Sequence, residues 1–391
     1  MFATATLVET VAFGHFVTFL PLLVRQLGVT EAALPITVGF LSTAAFIAGL
    51  PLVPFWGAWA DRYSRKAIVV RSAAVEVVLF LLLSAANEVW QLFVLVPLAG
   101  LALGNTGVML SELSDLAPRQ RLGFAISIVG TATPLGIALG PAVGGVVADR
   151  FGIQSLFLID GVLSALIVLL LVLAFHERHD RPRPTERILV MVRQALAAIV
   201  RTPLASGVFL AYLLLLLGQR LVTPYLALWV EALQGTVALA TVVGLVAGAY
   251  GLASAIGAPA AASVGDRVGY RRVYVLGALL AAVCLVLAAL APGLLGFAVA
   301  YAGFGVGFAT ASSMLFTMLA VGLPGAIRSS VLNLAMVPLY LAGVIGSIAS
   351  AAFLGLTGGA LQPLWVIAGA VAFLSVIPVL RLRTTPRPGL R

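Results

Sequence analysis

Apolar residues in this chain come in long blocks, and polar residues collect between the blocks. Apolar runs fall near 3–24, 35–59, 67–86, 90–111, 122–148 and 154–175. A second set falls near 204–229, 239–262, 273–291, 294–321, 330–355 and 361–380. A bilayer core of about 30 Å takes roughly 20 apolar residues of helix. The pattern therefore predicts twelve spans, six and six. The longest polar segment lies between the two sets, from His176 to about Thr202. Its "HERHDRPRPTER" stretch cannot span a membrane, and the following "ILVMVRQALAAIV" predicts a short interfacial helix. The expected organisation is a six-helix unit over 1–175, a linker over 176–203, and a second six-helix unit with a short tail over 204–391. The first block carries Glu9 and lacks a basic leader, which predicts a retained helix and not a cleaved signal peptide.

Composition agrees with a lipid solvent. Of 391 residues, 62% are hydrophobic and only 9% charged, against about half and a quarter in soluble domains. The net charge of +9 does not indicate nucleic acid, because the bases are nearly all Arg, Lys66 is the sole Lys, and no polybasic tract occurs. If both termini face the cytoplasm, all 23 Lys and Arg except Arg25, Arg150 and Arg220 fall in cytoplasmic segments, as the positive-inside rule requires. A multi-pass protein of the cell (inner) membrane is expected, acting as a monomer among lipids. The single Cys284 excludes a disulfide framework and a cysteine metal cluster. No nucleophile–base–acid set, metal cluster or phosphate-binding loop occurs, so neither an enzyme nor a nucleotide-driven pump is expected, and no cofactor.

The two halves repeat. "WADRYSRK" (59–66) follows the second run as "VGDRVGYRR" (264–272) follows the eighth. Asp61 and Asp266 are 205 residues apart, and Pro21 and Pro224 are 203 apart. Two similar six-helix units suggest a transporter with its site between them.

Gly57, Asp61, Arg62, Arg65 and Lys66 resemble the loop signature of the major facilitator superfamily, G-x-x-x-D-R-x-x-R-K/R. In the second copy Ala262 replaces the glycine and Tyr270 an arginine, while Asp266, Arg267, Gly269 and Arg271 remain. The resemblance implies an all-α polytopic fold of 12 transmembrane helices in two pseudo-symmetric six-helix bundles. It also implies that the loop latches the halves on the cytoplasmic side. Gly57 permits close helix approach, and Asp61 suits a helix N-terminus across the interface. "GIALGPAVGG", with Gly136, Gly140, Pro141, Gly144 and Gly145, resembles G-x-x-x-G-P-x-x-G-G, a signature of exporters and antiporters. This points to the twelve-helix drug/proton antiporter (multidrug efflux) family. One departure concerns the fourth span, where those antiporters carry an arginine and this chain has Val96.

Ionisable groups inside the membrane are functional candidates: Glu9, Glu76, Asp160 and Arg220. In the superfamily fold spans 1, 4, 7 and 10 line the cavity, so Glu9 and Arg220 rank first. Glu76 and Asp160, on outer spans, are expected to pair structurally or to sit near an interface. Glu9 suits proton uptake that substrate then reverses. Arg220 needs an anion, whether Glu9, another carboxylate or an acidic substrate. Alignment through Pro21 and Pro224 offsets it from Glu9 by about 12 Å in depth, and His15 lies between them and could bridge or titrate. Further cavity candidates are Phe13, Phe16, Asn105, Gln219, Tyr225, Tyr301 and Asn333, the aromatics suiting amphipathic or cationic substrates. The expected activity is proton-coupled export of small amphipathic molecules. The alternative is transport of an anionic or polar solute, such as a sugar, lipid or organic acid, with Arg220 as anion anchor.

Overall fold

Among the residues it describes, a computed structural model defines seventeen α-helices. It describes residues 1–102, 108–109, 112–113, 122–177, 188–324, 327, 331–332 and 334–382, the side chains of 57, 58, 60, 61, 122–127 and 191 excepted. The first eight are α1 (Phe2–Gln26), α2 (Leu34–Ile47), α3 (Val53–Arg62), α4 (Arg65–Ser84), α5 (Val89–Leu95), α6 (Ala99–Ala102), α7 (Leu122–Phe151) and α8 (Ile153–Ala174). They are followed by α9 (Ile188–Arg201), α10 (Pro203–Val222), α11 (Leu226–Gln234), α12 (Leu239–Val268) and α13 (Tyr270–Leu290). The last four are α14 (Leu294–Gly322), α15 (Met336–Leu356), α16 (Leu361–Leu374) and α17 (Val376–Arg381). Among the described residues, ten helical stretches are long and apolar enough to cross a bilayer. Two shorter apolar stretches, Leu34–Ile47 and Val89–Ala102, stand where the second and fourth spans are expected.

Those two spans are interrupted because of proline. Between α2 and α3 the chain turns over 48–52, where Pro51 has no N–H to continue the helical ladder, and Pro54 sits in the first turn of α3. Pro97 lies in a 3-10 turn, Val96–Leu98, that links α5 to α6. Pro224 lies in another, Thr223–Tyr225, between α10 and α11. Tight turns of this kind re-satisfy backbone groups that lipid cannot hydrate. The stretch expected to be helical in the linker forms α9, Ile188–Arg201.

The outer faces are apolar. On α13, Leu276, Leu280, Val283 and Leu287 are exposed while Gly277, Ala281, Cys284 and Ala288 are buried behind them. A helix with leucine outside and small residues inside has lipid as its solvent, with packing through close backbone approach. Before residue 175, α1 packs on α7 and α8, and α4 on α8. After residue 203, α14 packs on α12 and α13, while α10 and α13 pack on α16 and α10 also on α15. The two groups meet chiefly through α7 against α12 and α2 against α15.

Candidate functional site

The glycine-rich stretch of α7 has two working faces. Gly136, Gly140 and Gly144 recur every fourth residue, one helical face, and that face meets α1. A Cβ at Gly136 would lie 2.7 Å from Thr10 Cβ, and one at Gly140 would lie 3.1 Å from Val11 Cα. A Cβ at Gly144 would overlap the His15 ring at Cδ2 and Nε2. The other face carries Pro141 and Gly145 towards α12. Pro141 O fills the space that a Cβ on Gly244 would need, and Ala240 O does the same for Gly145.

His15, buried at the α1–α7 contact, is held from both ends. Its Nε2 is 2.8 Å from Gly140 O, and its Nδ1 is 2.9 and 3.0 Å from the two carboxyl oxygens of Asp160 on α8. A carbonyl only accepts, so Nε2 carries a hydrogen and donates it. Between Nδ1 and Asp160 there must then be one proton, either on an imidazolium facing a carboxylate or on a carboxylic acid facing a neutral ring. Both forms leave the pair with no net charge. Removing that proton would set two lone pairs against each other in a buried site.

Two more acids belong to this region. Glu76 on α4 is 2% exposed, and its Oε1 has no hydrogen-bond partner among the described residues. It lies within electrostatic reach of Glu9 and Asp160. Glu9 is buried on α1, and Tyr340 of α15 lies within reach of both Glu9 and Arg71. The Tyr340 hydroxyl donates to Gly100 O at 2.9 Å, joining the two groups of helices. Phe13 and Phe16 pack edge to face at 6.2 Å, and Phe13 reaches Phe80 on α4 at 6.3 Å. Asn105 and Asn333 lie outside the described residues.

Arg220 occupies a separate place. Its Cζ sits 4.8 Å from the centre of the Phe46 ring on α2. Its Nε is buried without an acceptor, and no carboxylate lies within 4.0 Å of the guanidinium among the described residues. Tyr212, Tyr250 and Tyr301 lie within electrostatic reach of it. Gln219 Nε2 donates to Tyr250 Oη at 2.8 Å, and Tyr250 and Tyr301 stack at 5.0 Å. Tyr225, by contrast, is fully enclosed, with its hydroxyl 3.2 Å from Ser350 Oγ at the α2–α15 contact.

The two loop copies make equivalent contacts, each inside its own group of helices. Lys66 Nζ donates to Val172 O at 2.7 Å near the end of α8. Arg271, 205 residues later, donates to Leu382 O at 3.1 Å and to Leu380 O, at the end of α17. A cation at a helix C-terminus satisfies orphan carbonyls and meets the negative end of the dipole. In the first copy Ser64 Oγ and the Arg65 N–H donate to Glu177, at 2.5 and 2.8 Å. Arg65 also pairs with the fully buried Glu112 at 3.3 Å. In the second, Tyr270 Oη donates to Asp266 at 2.7 Å. The Asp61 side chain lies outside the description.

Two carboxylate contacts between the groups lie at the end of the molecule that is poor in arginine. Asp149 at the end of α7 accepts from the N–H groups of Ala240 and Thr241, at 3.2 and 2.7 Å, in the first turn of α12. Arg25 Nη1 pairs with Glu231 at 2.7 Å, and Arg25 Nη2 donates to Glu31 at 2.9 Å. Sequence reading missed Asp149, Glu112 and the stacking of Arg71 on Trp56 at 3.7 Å. Glu112 and Asp149 stand just beyond apolar runs and Arg71 near the start of one, where a charge is ordinarily solvated.

Known proteins bear on this arrangement. A family profile, the Major Facilitator Superfamily, matches residues 2–243 and again 208–391. The multidrug resistance protein MdtG of Salmonella paratyphi A is 31% identical over 277 residues, covering 70% of this chain and 68% of that protein. MdtG of Salmonella typhi matches at the same identity and coverage. Among solved structures, a mutant of the nucleoside transporter NupG superposes with a TM-score of 0.78 at 15% identity, over 97% of this chain and 98% of that one. A bacterial homologue of the human lysosomal transporter Spinster, inward-facing and unoccupied, superposes at 0.75 and 14% identity, over 99% and 98%. The chain belongs to the Major Facilitator Superfamily, as a multi-pass secondary-active transporter of the inner membrane.

Proposed function

We propose that this chain is a proton-coupled exporter of small amphipathic molecules. Twelve spans form two six-helix halves, residues 1–175 and 204–391, joined by the linker over 176–203, with both termini in the cytoplasm. The observation that carries the reading is the group of buried acids Glu9, Glu76 and Asp160: Glu76 lies within electrostatic reach of the other two, and Asp160 pairs with His15. Groups that hold or lose a proton out of water are how a membrane protein links transport to a proton gradient. The relatives' name, multidrug resistance protein, supports export of drug-like compounds.

With the arginine-rich end in the cytoplasm, the described closure lies on the outer side. Export then requires Asp149 to leave the α12 terminus and Arg25 to leave Glu231. On the opposite side Gly57, Asp61, Arg62, Arg65 and Lys66, with Asp266, Arg267 and Arg271, supply the latch, and Asp61 is its cross-half element.

The test is drug export in proteoliposomes under an imposed pH gradient. Glu9→Gln keeps size and hydrogen bonding but cannot release a proton. It is expected to abolish gradient-driven export while preserving substrate exchange. Export by Glu9→Gln that still responds fully to the gradient refutes the reading.

A further inference from the structure

The structure assigns a ligand class to the Arg220 pocket: we propose that it binds an amphipathic aromatic anion, an aromatic carboxylate, with Arg220 holding the acid group. The inference names the cargo of the proposed exporter and rests on that reading only for the claim that the bound anion is carried.

Five helices build the pocket. Arg220 and Tyr212 come from α10, Tyr250 from α12, Tyr301 from α14 and Phe46 from α2. Gly346 of α15 backs the arginine, where a Cβ would lie 2.9 Å from Arg220 Cβ. Arg220, Gln219, Tyr212 and Tyr250 all keep partial accessibility, although they sit where helices from both groups converge.

The charge is the decisive feature. Guanidinium does not lose its proton in proteins. A guanidinium buried without an anion is costly. Two acids of the interior are committed elsewhere: Asp160 faces His15, and Glu112 faces Arg65. Around Arg220 stand phenols and a phenyl ring, and no carboxylate lies within 4.0 Å among the described residues. Phenol hydroxyls and a ring face lower the cost of the charge without neutralising it. The planar fork of five N–H donors matches a carboxylate through paired hydrogen bonds. Tyr250, backed by the buried Tyr301 on which it stacks, stays partly accessible and offers aromatic surface to an aromatic body. Gln219 is tied to Tyr250 and fixes the orientation of that wall.

Two other ligand chemistries fit less well. A cation would meet the positive charge of Arg220 with no acid beside it. A fully hydrated small anion would leave the aromatic walls unused.

The experiment is equilibrium binding of radiolabelled 2-naphthoate to the purified full chain in detergent, without a gradient. Saturable binding is expected. Displacement by 2-naphthamide, 2-naphthylmethylamine or inorganic phosphate should need about tenfold or more higher concentration than unlabelled 2-naphthoate. This series needs no mutant, so it stands even where a variant fails to fold. Arg220→Gln should abolish binding and Arg220→Lys weaken it, since the charge remains but the fork is lost. Absence of saturable binding, equal displacement by the neutral or cationic analogue, or equal displacement by phosphate would each overturn the assignment. Binding that holds while gradient-driven export fails indicts the export reading and leaves the site. Lost binding with proton-coupled export of other compounds intact does the reverse.

Discussion

Gly144→Ala tests whether the α7 glycine signature is a seat for His15. The new methyl would occupy the volume of His15 Cδ2 and Nε2. The ring cannot swing aside freely, because it bonds Gly140 O at 2.8 Å and Asp160 at 2.9 Å. Displacing it gives up a neutral hydrogen bond of about 1 kcal/mol and a charge-assisted one of about 1.5–3 kcal/mol. Keeping it in place forces overpacking of about 1–3 kcal/mol. The cheaper route sets the outcome, so Gly144→Ala should lose about 1–3 kcal/mol of stability. With the ring removed by His15→Ala, the same methyl has room. Ala then exceeds Gly as a helix former by about 0.8–1 kcal/mol, so the sign of the effect reverses. Reversible unfolding in mixed micelles of the wild type, both single variants and the double variant gives the coupling directly. Gly130→Ala is the control, since a Cβ there meets nothing within 4 Å. It should stabilise in both backgrounds. Additivity of Gly144→Ala and His15→Ala within about 0.5 kcal/mol would refute the seat.

Two further outcomes follow from the end contacts. Asp149→Ala removes the carboxylate that caps the first turn of α12. It should weaken closure of the arginine-poor end by about 1–2 kcal/mol, read as a longer mean distance between spin labels on α7 and α12. Lys66→Ala and Arg271→Ala should each cost about 0.5–1 kcal/mol and cost the same, because each cation caps the last helix of its own group. A large effect from one and none from the other, in thermal unfolding, would break the equivalence.

Much of the architecture was legible because it rests on local physics. Long apolar runs can only be membrane helices, so the run pattern located the ten long stretches and the two shorter ones. The repeat of "DRYSRK" in "DRVGYRR" marked places whose cations make equivalent contacts, and the helix at Ile188–Arg201 followed from its amphipathic sequence. Prolines at 51, 97 and 224 were visible in the sequence. That they split α2 from α3, α5 from α6 and α10 from α11 depended on whether neighbouring backbone could satisfy the freed groups.

The site was legible as a set of residue types, not as a set of partners. Glu9, His15, Glu76, Asp160 and Arg220 were marked by their chemistry, since a charge in an apolar run needs an explanation wherever it sits. Which charge meets which is a matter of rotation and tilt between helices far apart in sequence. His15 and Asp160 are separated by 145 positions, and they meet because Gly140 and Gly144 let α1 approach α7. The same packing left Arg220 among tyrosines and without a carboxylate within 4.0 Å among the described residues. Sequence alone determined the solvent, the helices and the candidate charges, because those follow from transfer free energies along one chain. Tertiary structure decided the pairings, because a hydrogen bond needs two atoms brought within about 3 Å, and only packing sets that distance.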